Sequence, residues 1–267
     1  MAITSVDTAI AGMQPPSWFS KAVSGTLVAG RPFSPFYTAG NPGAAVAPTP
    51  GLSGAALTSY AGQIPIPAAS GNTHLARFSG VPSAQAGTLV LCDRLWHNSG
   101  FTITSTGAQT VNSVAFPARD KNGSTNGVGV FLGVEISTAT GAGTPTITVS
   151  YTNDAGTAGK TATNSVATVA SSAIGTFYPI GLAAGDTGVR SVQTLTLSAT
   201  WTSGTMHLVA YRPIATLTFP AAGGGDAIDA LTSGLPRCYD NTVPFLIFIP
   251  QTTTTTMLSG SVVFTQG

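Results

Sequence analysis

The densest run of chemically capable side chains is "LCDRLWHNSG", Leu91 to Gly100, which places Cys92, Asp93, Arg94, Trp96 and His97 within six consecutive positions. A cysteine near a histidine is the pairing of a thiolate nucleophile with its base, and a neighbouring carboxylate can orient that base. The spacing argues against such a site. On a strand, Cys92, Arg94 and Trp96 share one face while Asp93, Leu95 and His97 share the other, so Cys92 points away from His97. On a helix, five residues at about 100° each leave the two about 140° apart. His74 or His207 could approach Cys92 from elsewhere, but nothing in the sequence marks either. The run therefore reads as structural, with Asp93 and Arg94 in ion pairs or backbone hydrogen bonds and Trp96 packed in the core.

The remaining candidates are thinner. "FPAAGGGDAIDAL" puts glycines between an apolar run and a short helical pattern, as a phosphate-binding turn would, yet Ile228 stands where the third glycine belongs and no Lys-Ser/Thr follows. Glycoside hydrolysis generally needs two facing carboxylates. This chain has a single glutamate, Glu135, within an apolar run. "TNDAGTAG" offers Asn153 and Asp154 as oxygen ligands, too little carboxylate for a cation, so it reads as a turn. Cys92 and Cys238 fit neither a disulfide framework nor a zinc knuckle and are expected as free, buried thiols. The expectation is no catalytic, cofactor or metal site, and no enzyme activity.

What must these residues be mounted on? Of the 267 residues 43% are apolar and only 7% charged, with 32 Gly and 18 Pro. Ten basic against nine acidic residues give a net charge of +1, which supplies no field to draw the chain onto nucleic acid or an anionic membrane. A free monomer normally carries far more charge on its surface, so much of this one is expected to be covered by other subunits. The amino-terminal "MAITSVDTAIAG" lacks a basic head and an apolar run, and no stretch reaches about 18 apolar residues. A soluble protein made in a cytoplasm is expected.

Residues 1 to 72 scatter Pro and Gly too densely for a helix or a central strand ("PPSWF", "GRPFSPFYTAGNPG", "APTPGLSG"). They read as an extended arm. Its aromatics, Trp18, Phe19, Phe33, Phe36 and Tyr37, must be buried somewhere, on the chain's own module or on a neighbour, and are the expected interface residues. From residue 73 to 267 the pattern is β. "TITVSY" and "TLTLSAT" alternate with one wet face, "GVGVFLGVEI" and "TMHLVAY" are apolar on both, and turn clusters such as "KNGSTNG" separate them. About ten strands imply an all-β sandwich, with a jelly roll preferred over an immunoglobulin-like one. Residues after about 215 are expected to add an edge or interface segment.

With those residues in view, "LCDRLWHNSG", "FPARDKNGSTNGVGVFLGVEISTATG", "VSYTNDAGTAGKTAT" and "LAAGDTGVRSVQTLTLSATWTSGTMHLVAYRP", together with the aromatic arm, resemble virion structural proteins of tailed bacteriophages. The likeness is to the kind that decorates or cements a capsid shell. It spans roughly residues 25 to 215 and carries no catalytic motif. It implies β-rich modules, often homotrimers, bound to the major capsid protein on the capsid surface and assembled in a bacterial cytoplasm. The alternatives are a tail, fibre or adaptor protein of the virion, and a carbohydrate-binding module with Trp96 or Trp201 stacking on sugars.

Overall fold

A chain so rich in Thr, Val, Ser and Gly satisfies its backbone by pairing strands, and the computed structural model, which describes residues 3–24 and 27–267, is all-β. Residues 1, 2, 25 and 26 of the expected arm lie outside the described residues. In chain order the strands are β1 (Ser17–Val23), β2 (Gly40–Asn41), β3 (Ala55–Ala56), β4 (Thr73–Pro82), β5 (Gly87–His97), β6 (Gln109–Thr110), β7 (Phe131–Thr138) and β8 (Ile147–Asn153). There follow β9 (Lys160–Asn164), β10 (Phe177–Gly181), β11 (Val189–Leu197), β12 (Thr205–Phe219), β13 (Asp226–Ile228), β14 (Arg237–Cys238), β15 (Pro244–Pro250) and β16 (Thr256–Gln266). Two short helices, α1 (Val6–Ala11) and α2 (Ala230–Ser233), are each started by a capping box, at Ser5 and Asp229. The "DAIDAL" pattern, read as helix, divides between β13 and α2.

The chain forms two compact units, one of residues Met1–Ala45, Ser59–Asp93 and Pro213–Gly267, the other of Val46–Thr58 and Arg94–Arg212. These boundaries correct the expected division at residue 72. In the first unit the strand order is β13-β4-β16-β1-β2, antiparallel, with β14 also on β4. A second layer is made by β15 paired to residues 87–93 of β5. Phe19, Leu75, Phe78, Val262 and Phe264 of the first layer meet Leu89, Leu91, Leu246 and Phe248 of the second in one apolar core. The expectation that Pro and Gly exclude strands from the amino-terminal segment is therefore wrong for residues 17–23, which lie between the prolines and pair with β16 at seven positions. Of the strands after residue 215, β13 and β15 lie at sheet edges as expected, whereas β16 runs between β4 and β1.

The second unit is an antiparallel sheet in the order β12-β7-β10-β9-β8-β11-β6, curled around its own core. Ile147, Val149 and Tyr151 of β8 face that core, as alternation dictates. In β11 bulges near Val189 and Val192 shift the phase, and the strand stops at Leu197, so the alternation read in "TLTLSAT" ends before Ala199, which is exposed. The central strand β7 is buried continuously from Leu132 to Ile136.

Candidate functional site

The run that opened the sequence reading is divided between the units. Asp93 closes the first-unit part of β5, fully buried, where its Oδ1 accepts from the Val243 backbone N–H at 2.9 Å and its Oδ2 lies 3.4 Å from the donating Thr242 hydroxyl. Arg94 begins the second-unit part. Its guanidinium lies 2.8 Å from Glu135 on β7, both side chains wholly buried, although the N–H groups are not aligned on the carboxylate as hydrogen bonds. Arg94 Nε also donates to His97 Nδ1 at 3.2 Å. Burial, the Arg94 charge and nearby His207 push the His97 imidazole down to about 2, so it stays neutral. Trp96 is fully buried against Phe116, and its indole N–H donates to the Ser53 carbonyl at 3.1 Å. Cys92 and Cys238 are buried and form no disulfide.

A different constellation lies on β7 and β12. His207 stands opposite Glu135 across these strands, and Ser137, two residues further along β7, projects on the same side. His207 Nδ1 is 2.9 Å from the Asn98 carbonyl oxygen, an acceptor only, so Nδ1 carries the proton. Nε2 is then an acceptor, and the partner it accepts from is the Ser137 hydroxyl at 2.6 Å. Since that proton is committed, Thr205, whose Oγ1 is 2.9 Å away, donates to Ser137 Oγ. Burial holds the His207 imidazole below its ordinary value, with the Glu135 charge and the Asn98 carbonyl pulling the other way. The Asn98 side chain in turn accepts from the Leu208 N–H and donates to the Leu52 carbonyl, which fixes the carbonyl against which His207 is oriented. Thr205, Ser137 and His207 line an open depression of about 530 Å³ whose walls include Pro48, Ser99, Phe101 and Met206, while Asn98 is fully buried. No signal in the sequence marked Ser137 or Thr205, because the site depends on the register of two strands some 70 residues apart.

Other singled-out residues are structural. Asn153 is knitted to Asp186 and to the Thr157 N–H, and Asp154 accepts from the Thr187 hydroxyl, so both oxygen sets serve the turn. In "ARDKNGSTNG" Asp120 accepts from the N–H groups of Asn122, Ser124, Gly127 and Val128 and from the Ser124 hydroxyl. Burial pushes that carboxyl up, but the bonds from Ser124, Asn122 and Val128 outweigh it and hold it below its ordinary value. Trp201, like Trp96, is fully buried, its N–H bonded to the Val169 carbonyl. Neither tryptophan can stack on a sugar. Among the described residues there is no group of three His, Cys, Asp or Glu able to hold a metal. No described helix is long and apolar enough to cross a membrane.

The five expected interface aromatics separate. Phe19, Phe33 and Phe36 are buried within the first unit, Phe36 stacking on Tyr60 with ring centroids 6.0 Å apart. They are core residues, and their burial by this chain removes them from any external contact. Tyr37 is half-buried beside Phe36. Trp18 remains, 65% exposed. The strand that carries it alternates Trp18, Ser20 and Ala22 outward against Phe19, Lys21 and Val23 inward. Lys21 is buried with its ammonium on the carbonyls of Thr38, Pro42 and Gly43, and burial pushes it down to about 8. On the same outer face Ser261 and Ser79 lie across from Trp18, Ser259 and Val81 across from Ser20, and exposed Met257 across from Ala22. Among the described outward residues of β4, β16 and β1, Arg77 is the one charged side chain.

No family model matches the chain, and no curated protein matches it. Among solved structures it was aligned with the infectious bursal disease virus Gx strain at 9% identity and a TM-score of 0.21, covering 94% of this chain and 80% of that one. The VP2 subviral particle of the same virus aligns at 8% identity and a TM-score of 0.19, covering 96% and 82%. At these scores the two chain paths differ over most of their length, and no fold or function is taken from them.

Proposed function

We propose that this protein is a structural component of a bacteriophage virion, one that binds the major capsid protein on the shell surface and reinforces it. The observation that carries this reading is the outer face of the β4-β16-β1 sheet, where Trp18, Met257 and Val81 are exposed amid serine hydroxyls with little charge. Such a face leaves a large aromatic in water and carries Arg77 as its one charged side chain among the described residues, which is how a docking surface differs from a solvated one. The low overall charge and the texture shared with decoration proteins support the same reading, as does a net charge too small to hold nucleic acid. Self-association, as a homotrimer, belongs to this proposal, as does assembly in the bacterial cytoplasm.

The attachment surface is thus a sheet face instead of an arm. Burying an aromatic side chain contributes roughly 1.5 to 3 kcal/mol, so Trp18→Ser should weaken binding to shells by about 10-fold or more in a cosedimentation assay while leaving the fold intact. Equal binding by the variant would remove the sheet face from the attachment surface. Sedimentation equilibrium of the free protein tests the trimer.

A further inference from the structure

The hydrogen bonds of the site on β7 and β12 run in one direction. The donor roles follow one from another: the Asn98 carbonyl, an acceptor only, takes the Nδ1 proton, the bare Nε2 then takes the Ser137 proton, and with that proton committed Thr205 donates to the Ser137 oxygen. A hydroxyl whose proton already points at a neutral imidazole, with that imidazole oriented by a third group, has the geometry of an activated nucleophile. Glu135, opposite His207 across the strands, favours the imidazolium as it forms, while Arg94, paired with Glu135 at 2.8 Å, opposes it. Ser137 is only half-buried, at the edge of the depression, so a small molecule can reach it. The wall carries hydroxyls, an aromatic and a thioether, and none of its lining residues is charged, which fits an uncharged substrate.

We propose that Ser137, with His207 as its general base, is a nucleophile that takes the acyl group of a small uncharged ester held in this depression. Ser137 Oγ bonds to the ester carbonyl carbon while its proton passes to His207 Nε2. The bond from that carbon to the alkoxide oxygen breaks, and His207 returns the proton to the alkoxide, which leaves as an alcohol. Water attacking the acyl-serine, with His207 again taking and returning the proton, releases the carboxylic acid and restores Ser137. The activity is independent of shell binding: the two rest on different units and different residues.

The test is covalent labelling of the full-length protein with an uncharged alkyl fluorophosphonate, followed by intact mass and peptide mapping. Ser137 Oγ displaces fluoride from phosphorus, giving a stable adduct. The expected result is one adduct on Ser137, formed at least about 100-fold faster than on any other serine of the chain, which is the lower range of general-base assistance. The rate should be flat across neutral pH and fall on acidification below pH 6.5, because His207 serves only while neutral and its value is held below 6.5. Ser137→Ala, at a half-exposed position, should fold normally and lose the adduct. The proposal is overturned by the absence of an adduct on Ser137. It is equally overturned by a rate that climbs tenfold per pH unit through neutrality, which is the behaviour of an unassisted hydroxyl.

Discussion

The buried pair of Arg94 and Glu135 gives the sharpest test of how the second unit is held. Both side chains are fully buried and 2.8 Å apart, so removing one leaves the other as an uncompensated charge in the core. Breaking such a pair from one side costs about 3 to 5 kcal/mol, whereas replacing both partners by apolar groups of similar volume is often neutral or stabilising. Arg94→Met also takes the donor from His97 Nδ1, which adds to its cost. At roughly 2 to 4 °C per kcal/mol for a chain of this size, Arg94→Met and Glu135→Leu should each lower Tm by about 6 to 20 °C. The double variant should lose far less than the sum. Thermal unfolding followed by circular dichroism, run on all four members of the cycle, measures the coupling. Single variants that each cost under about 1 kcal/mol, or a double variant whose loss equals the sum of the singles, would refute the reasoning.

Deleting residues 1–70 removes β1, Phe19, Phe33 and Ile64 from the first unit's core together with buried Phe36, and at about 3 to 5 kcal/mol per phenylalanine the loss is as large as the whole stability of an ordinary domain. The truncated chain should aggregate or lack dispersed amide resonances in a proton–nitrogen spectrum, and a soluble, cooperatively melting product would contradict the fold. Asp120→Asn should cost about 1.5 to 3 kcal/mol at pH 7 in urea unfolding, since an amide cannot accept all the bonds the carboxylate does. The Asp120 carboxyl is held below 3.8, so its contribution is complete above that pH and lost as pH falls through the folded value; the gap between wild type and variant should close below pH 3.8. Gly133→Ala on β7 would drive a methyl group into the Phe177 ring, which packs edge-on to Tyr211, and should destabilise by about 1 to 3 kcal/mol; an unchanged Tm would show that the ring moves aside freely.

By itself the sequence determined the class of the molecule and the character of its strands. Alternation in "TITVSY" and two-sided apolarity in "FLGVEI" are local properties, set by which neighbours a pleated chain presents to each face, and they survive in β8 and β7. The same locality underlies the expectation that Cys92 and His97 point apart, although Arg94 and His97, placed on opposite faces by the same alternation, are hydrogen-bonded. It also explains the failures. The division into an arm and a module misread residues 17–23, because their strand is completed by β16 some 240 residues later and no local pattern announces so distant a partner. Trp18 and Phe19 look alike in the sequence, yet one is exposed and the other is core, a difference fixed by which face of β1 meets the second layer. The Ser137–His207 dyad is the extreme case. Serine is abundant here and histidine rare, and only the register of β7 against β12, together with the placing of Asn98 at the end of β5, brings them within 2.6 Å. Strand identity is a local matter of side-chain alternation; sheet partners and register are decided by long-range burial, and with them every contact from which a site can be made.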